Sequence, residues 1–417
     1  MSELISIEEG RRRVLEAVPR LGDEPVALDA ALGRVLAGDV RSPIDVPPFD
    51  SSGMDGYAVL AGPAGELDVI GEARAGHPAQ VAVTPGSAVR ISTGAVVPEG
   101  ADAVVPIERT TAVTGGVSPA QADHVSVLHD MHADPIHGRV RVAEIEAGAN
   151  IRRAGEDIPF NAVVLETGAV LGPAELGVAA SVGRADVACA LRPRVAVLVT
   201  GDELTPPGQP LGPGGIYSSN GFALAAQVER AGGLLIGRTT VPDDRGGTRA
   251  AIGQALDVAD VVVVSGGVSV GPHDHVKGAL LELGVEERFW GVSLRPGKPT
   301  WFGTRGDTLA FGLPGNPVSA MVTFQLFARP ALAALQGAAP EARRAGARLE
   351  RAVPRNAQRE QAIRVSLLES KNGLVARPAR AQGSHVLTSM LGADALALIA
   401  PGDGEAAAGE RVEVELL

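Results

Sequence analysis

Residues 261–277 read VVVVSGGVSVGPHDHVK. Four valines lead into Ser265, Gly266 and Gly267, Ser269 follows, and Asp274 and Lys277 lie a few positions on. A buried strand ending in glycines lets backbone N–H groups approach a ligand. A helix beginning just beyond adds the positive end of its dipole, so a phosphate or similar oxyanion suits the place. The carboxylate does not suit an anion unless a cation shares the site.

Three further loops carry the same kind of residue: TGDEL (200–204), VPDD (241–244) and GLPGNPVSA (312–320), the last supplying Pro314, Gly315, Asn316 and Pro317. Glu203, Asp243 and Asp274 give three carboxylates, a costly convergence without a metal. Mg²⁺, held by one or two carboxylates together with substrate oxygens, fits best. Lys277, Lys298 and Arg295 would add fixed positive charge. The set predicts metal-assisted chemistry at a phosphate or related oxyanion.

These loops belong together only if one sheet presents them. Across 192–340, apolar runs (RVAVLVT, LLIGRTTV, DVVVVS, KPTWFG, TLAFG) alternate with helical patterns near 220–231, 245–257 and 273–283 and after Pro317. The alternation predicts a doubly wound, mostly parallel α/β domain, whose ligands sit beyond the carboxyl ends of the strands. Residues 341–417 read as short strands between turns, predicting a small β-barrel, and 49–158 as a second β-rich domain. Residues 1–48 and 159–191, with helices near 6–18 and 173–182, are left as a connecting domain.

Bulk properties narrow the class. The chain has 417 residues, enough for about three domains, and a net charge of −12, which argues against a nucleic-acid partner. No apolar run approaches the roughly 18 to 20 residues that span a bilayer, and the N-terminus MSELISIEEGRRR lacks the apolar core of a signal peptide, so a cytoplasmic location is expected. The single cysteine, Cys189, lies in the apolar VACAL and reads as a buried structural thiol. Lysine occurs only at 277, 298 and 371, against 34 arginines, and two of the three, Lys277 and Lys298, are among the candidate functional residues.

The motifs SGGVSVGPHD, RPGKP, GLPGNPVSA and TGDEL, with SSGMDGYAV (51–59), ISTGAVVPEGADAVVP (91–106) and IRRAGEDI (151–158), resemble those of the molybdopterin molybdenumtransferase (MoeA) family, to which the C-terminal domain of gephyrin is related. They run through almost the whole chain in the family's order. The resemblance implies an elongated multidomain α/β protein with a molybdopterin-binding α/β domain, forming a homodimer whose cleft joins that domain of one subunit to the MDGYA-bearing domain of the other. It implies insertion of molybdenum from molybdate into adenylyl-molybdopterin, with loss of AMP and a need for Mg²⁺. Contact with a molybdopterin adenylyltransferase is a further expected partnership. By motif, Asp55, Thr93, Asp157, Glu203, Asp243, Asp274 and Lys298 take catalytic positions. Asp243 and Asp274 are assigned to Mg²⁺ or to orienting water, with Glu203 as a third candidate ligand. Ser265, Gly266, Gly267, Ser269, Lys277, Arg295, Pro314, Gly315, Asn316, Pro317 and Ser384 bind substrate.

Two departures from the family pattern stand out. Many relatives carry lysine where this chain has Arg295, and often another where it has Gly291; arginine keeps the charge but presents a planar fork. The stretch 111–142 is long and holds His124, His129, His132 and His137, read as a solvated loop rather than a metal site. Two alternative functions are the preceding adenylylation of molybdopterin and a noncatalytic scaffold.

Overall fold

The computed structural model describes residues 4–113, 138–268 and 275–417. The chain forms two compact units, one of residues 1–38, 167–173 and 186–417, the other of 39–166 and 174–185.

The first unit is built on a six-stranded sheet in the order Leu234–Val241, Arg194–Thr200, Val261–Ser265, Thr308–Leu313, Trp301–Arg305, Glu286–Trp290. The first four strands are parallel and the last two antiparallel. The run of valines is explained by burial on both faces. Val261 and Val263 pack with Leu224, Val228 and the Pro317–Leu335 helical run, while Val262 and Val264 face Ile252, Leu256 and Leu280 of the opposite layer. All four are 0% exposed, each worth roughly 1.5–3 kcal/mol of transfer free energy. Strand periodicity of two sends successive side chains into two different cores.

Contrary to the expectation that no apolar run approaches a bilayer-spanning length, the Pro317–Leu335 run is, among the described residues, one helix long and apolar enough to span a bilayer. With 78% of its apolar window buried, it serves as a core helix. A π-helical turn at Phe324–Ala328 interrupts it. The expected N-terminal helix is Ile7–Glu16, opened by Ser6, whose hydroxyl accepts the Glu9 N–H at 3.0 Å.

The C-terminal strands close on themselves. Glu360–Ser370, Gly373–Pro378, Arg344–Leu349, Arg411–Leu416 and Ala395–Ile399 pair in that order, and the last returns to the first. The short strand Leu294–Arg295 adds to this barrel alongside Glu360–Gln361, so a piece of the 192–340 segment is built into the neighbouring β structure. Cys189 is fully buried in strand Asp186–Ala190; burial pushes its thiol pKa up, which suits an inert structural role.

The second unit carries a six-stranded sheet in the order Ala103–Pro106, Gly56–Val59, Ser87–Ile91, Gly65–Ala73, Gly138–Val142, Thr110–Val113. Its core is Val59, Val69, Val105, Val140 and neighbours. The histidines at 124, 129, 132 and 137 lie outside the described residues.

Candidate functional site

The ends of the parallel strands are level. Thr200 pairs with Val241, Val199 with Ser265, and Ser265 with Leu313. Loops 201–204, 242–244, 266–268 and 314–316 therefore leave the sheet at one height, and a cleft of about 660 Å³ lies among them. Glu203, Asp243, Ser265, Gly266, Gly267, Pro314, Gly315, Asn316 and Pro317 all line it.

The floor is shaped by close backbone approach. Gly266 has φ +98°, and a Cβ there would lie 2.7 Å from Thr200 Oγ1 and 2.8 Å from Thr200 O. Only glycine fits such a position without strain. Ser265 donates its hydroxyl to Pro314 O at 3.0 Å. Asn220 donates to Ser265 Oγ at 3.0 Å and to Gly315 O at 2.7 Å, and so ties the glycine turn to the LPGNP turn. These bonds extend into the loops the strand pairing that ends with Ser265 opposite Leu313 and the Gly266 N–H on Leu313 O at 3.0 Å.

The polar lining suits a hard cation. Glu203 and Asp243 supply carboxylate oxygens, and the buried Thr200 Oγ1 has no hydrogen-bond partner. Among the described residues no three His, Cys, Asp or Glu side chains cluster closely enough to form a preformed metal cage. One or two carboxylates are what Mg²⁺ uses when substrate phosphates and water complete its shell, so the residues present fit that ion.

Other candidates sit elsewhere. Lys277 is ion-paired with Glu287 at 2.8 Å and stacked 5.3 Å from the Trp290 ring centre, so its charge has a structural partner. Lys298 is exposed beside the cleft-lining Pro299. Arg295 is exposed on its short barrel strand. The Ser384 carbonyl accepts the Val318 N–H at 3.1 Å, and its neighbour His385 reaches the cleft lining. Ser269 and Asp274 lie outside the described residues. In the second unit, Asp55 Oδ1 accepts the Thr93 backbone N–H at 2.7 Å and its hydroxyl at 3.1 Å. Asp157 borders a cavity of about 470 Å³ whose lining includes neither Asp55 nor Thr93.

Sequence reasoning missed Thr200, Tyr217, Asn220 and His385, all in the lining. Asn220 is the first residue of helix Asn220–Arg230, whose N-cap Ser219 makes no side-chain cap, so the Asn220 amide is free to bridge the two loops. Arg364 was missed too. It is 0% exposed, bonds Ser389 Oγ at 3.2 Å and the Gly383 and Ala362 carbonyls at 3.4 Å, and burial pushes its pKa down to about 10. No carboxylate compensates it among these contacts.

Models of known families match in series: the MoeA N-terminal region (domain I and II) over residues 5–183, the "Probable molybdopterin binding domain" over 196–334, and the MoeA C-terminal region (domain IV) over 346–417. The molybdopterin molybdenumtransferase of Haemophilus influenzae is 39% identical over 339 residues, 80% of this chain and 78% of that protein. The Bacillus subtilis enzyme of the same name is 32% identical over 422 residues, 99% of this chain and 94% of that one. A crystal structure of the molybdopterin biosynthesis MoeA protein of Pyrococcus horikoshii superposes with a TM-score of 0.79 at 32% identity, covering 99% of both chains. With its glycine-floored cleft at a level rim, and with matches along nearly its entire length, the chain belongs to the molybdopterin molybdenumtransferase (MoeA) family.

Proposed function

We propose that the chain is an enzyme of molybdenum cofactor biosynthesis that inserts molybdenum into molybdopterin, taking molybdate and adenylyl-molybdopterin as substrates and releasing AMP. The observation that carries this reading is the cleft at the level strand ends, where bare backbone and carboxylates meet. An adenylylated dithiolene pterin brings a pyrophosphate, and the turns at Gly266–Gly267 and Gly315 let main-chain groups approach its oxygens. Glu203 and Asp243 would hold Mg²⁺, with Asp274 of the SGGVSVGPHD motif, outside the described residues, as a third candidate ligand. A divalent ion bound by these carboxylates would supply charge neutralisation at the phosphate oxygens. Thr200 offers its unbonded hydroxyl to the same oxygens. Lys298 and Arg295 supply cationic charge to phosphate or molybdate, and Ser384 a hydroxyl. The work of these groups is positioning and electrostatic preorganisation, with no covalent enzyme intermediate.

Asp55, Thr93 and Asp157 complete the cleft from a second subunit of a homodimer in this reading. The four-segment division of the chain, the cytoplasmic location and a handover from a molybdopterin adenylyltransferase belong to the same proposal.

The test is direct: incubate the protein with adenylyl-molybdopterin, molybdate and Mg²⁺, and measure AMP together with reconstitution of an apo-molybdoenzyme. AMP release coupled to active cofactor is expected. Pyrophosphate release from ATP and molybdopterin instead would assign the adenylylation step, and no turnover with either substrate would assign a scaffold.

A further inference from the structure

Four buried side-chain atoms among the described residues lack any hydrogen-bond partner: Thr200 Oγ1, Arg34 Nε, Gln227 Oε1 and Arg329 Nε. Thr200 belongs to the cleft. Gln227 and Arg329 both line a different cavity, of about 340 Å³, bounded by helix Asn220–Arg230, the Pro317–Leu335 run, residues 341–343 and the end of the last barrel strand.

Neither side chain is loosely held. The Gln227 amide nitrogen donates to Met321 O at 3.1 Å, which leaves its oxygen as a fixed acceptor. Arg329 Nη2 donates to Pro340 O at 2.8 Å, which leaves Nε–H as a fixed donor. A buried donor and a buried acceptor left unpaired are costly, and in native proteins such atoms call for a partner. Gln325 and Arg329 reach this cavity from either end of the π-helical turn, an irregularity found frequently at functional sites.

The charge around the cavity is cationic. Arg230, Arg329 and Arg343 line it, opposed by Glu341 and by the terminal carboxylate of Leu417, which Arg230 engages. Arg230 is engaged with Leu417 O at 2.5 Å, and Arg343 is exposed at the rim. Burial lowers the Arg329 pKa; the nearby Glu415 is already bonded through both oxygens to Arg11 at 2.7 Å.

We propose that this cavity is a second ligand site, separate from the cleft, that takes inorganic phosphate, which keeps at least one P–OH at neutral pH where a phosphate monoester is mostly a proton-free dianion. Its bare oxygens accept from Arg329 Nε and Arg343, and its P–OH donates to Gln227 Oε1. Sulfate has similar size and charge but no proton to donate at neutral pH, so the Gln227 acceptor discriminates against it. The donor–acceptor pair therefore selects for protonation state as well as charge.

The experiment is isothermal titration of the full chain with inorganic phosphate, AMP and sulfate, using the wild type, Arg343→Glu and Gln227→Met. A phosphate-binding event that sulfate does not reproduce is expected, weakened about tenfold or more in each variant. AMP, whose phosphate is mostly a proton-free dianion at neutral pH, is expected to compete as poorly as sulfate, and competition by AMP as strong as that by inorganic phosphate would overturn the selection. Identical phosphate isotherms for wild type and Arg343→Glu, or sulfate filling the site as well as phosphate, would overturn it. Arg343 is exposed, so its variant decides the matter should Gln227→Met fail to fold. Glu203→Gln, which removes a cleft carboxylate, leaves this binding event intact, so failure here and failure of the insertase reading are separable.

Discussion

Asp202 and Asp243 exchange hydrogen bonds across two loops: the Asp243 N–H donates to Asp202 Oδ1 at 3.0 Å, and the Asp202 N–H donates to Asp243 Oδ2 at 3.4 Å. The longer bond occupies one Asp243 oxygen weakly and leaves the other for a ligand. The shorter one makes Asp202 a positioning residue for the whole 242–244 loop. Asp202→Ala is expected to raise the Mg²⁺ concentration for half-maximal insertion about 10- to 100-fold, in the range seen when partners of metal ligands are removed, while saturating Mg²⁺ restores most of the rate. Asp243→Asn, by contrast, is expected to stay slow at any Mg²⁺ level. A rate for Asp202→Ala that saturating Mg²⁺ fails to restore would show that the loop serves something other than the metal.

The cleft floor predicts a sharp contrast between two glycines. A Cβ at Gly266 collides with Thr200 and sits at φ +98°, whereas one at Gly315 meets only Gly266 Cα at 3.6 Å. Gly266→Ala should therefore cost about 2–3 kcal/mol of stability from strain and crowding, read as a lower denaturant midpoint. Gly315→Ala should leave the midpoint nearly unchanged.

Arg364 predicts a trade between stability and turnover. A fully buried guanidinium without a carboxylate carries a desolvation cost on the order of a few kcal/mol, and a hydrophobe of similar volume avoids it. Arg364→Met should keep or raise Tm. It should lower kcat/KM about tenfold or more, because the loop 382–385, held through Gly383, brings His385 to the cleft and small misplacements are costly. A loss of Tm with normal turnover would mean the arginine is structural only.

Acid should loosen the second unit at the GEDI turn first. Asp50 accepts the Ala154 N–H at 2.9 Å and binds Arg153 at 2.6 Å; these contacts hold its pKa below the ordinary carboxylate value. A carboxyl that binds fewer protons when folded gives its full stabilisation above about pH 4 and loses it as the pH falls through the lowered folded value. Hydrogen exchange at the Ala154 amide should accelerate over that window beyond its intrinsic trend. In Asp50→Asn the excess acceleration should vanish.

The sheet and its loops were legible in the sequence because they depend on local pattern. RVAVLVT and DVVVVS announce strands buried on both faces, and glycine at 266 and 267 announces backbone at the rim. What stayed hidden depends on distant partners. Nothing near Lys277 reveals that Glu287 and Trp290 will hold it. Nothing in LRPGKP shows that Leu294–Arg295 will join the barrel. A lone arginine within QAIRVSL reads as an exposed strand residue until closure of the barrel buries it. Asn220 carried an ambiguous signal, since the residue type that opens helices also bridges loops.

The level register of Thr200, Val241, Ser265 and Leu313 constrains how such a protein can change. A single residue added to one of these strands would lift its loop by about 3.3 Å and turn its side chains to the opposite face. Edge strand Leu234–Val241 already absorbs one extra residue, Ile236, as a bulge opposite Val195–Ala196 and still ends level, so length added inside the sheet needs a bulge to absorb it, whereas the turns beyond the sheet accept it freely. Grafting loops between homologues should succeed where cutting inside a strand fails.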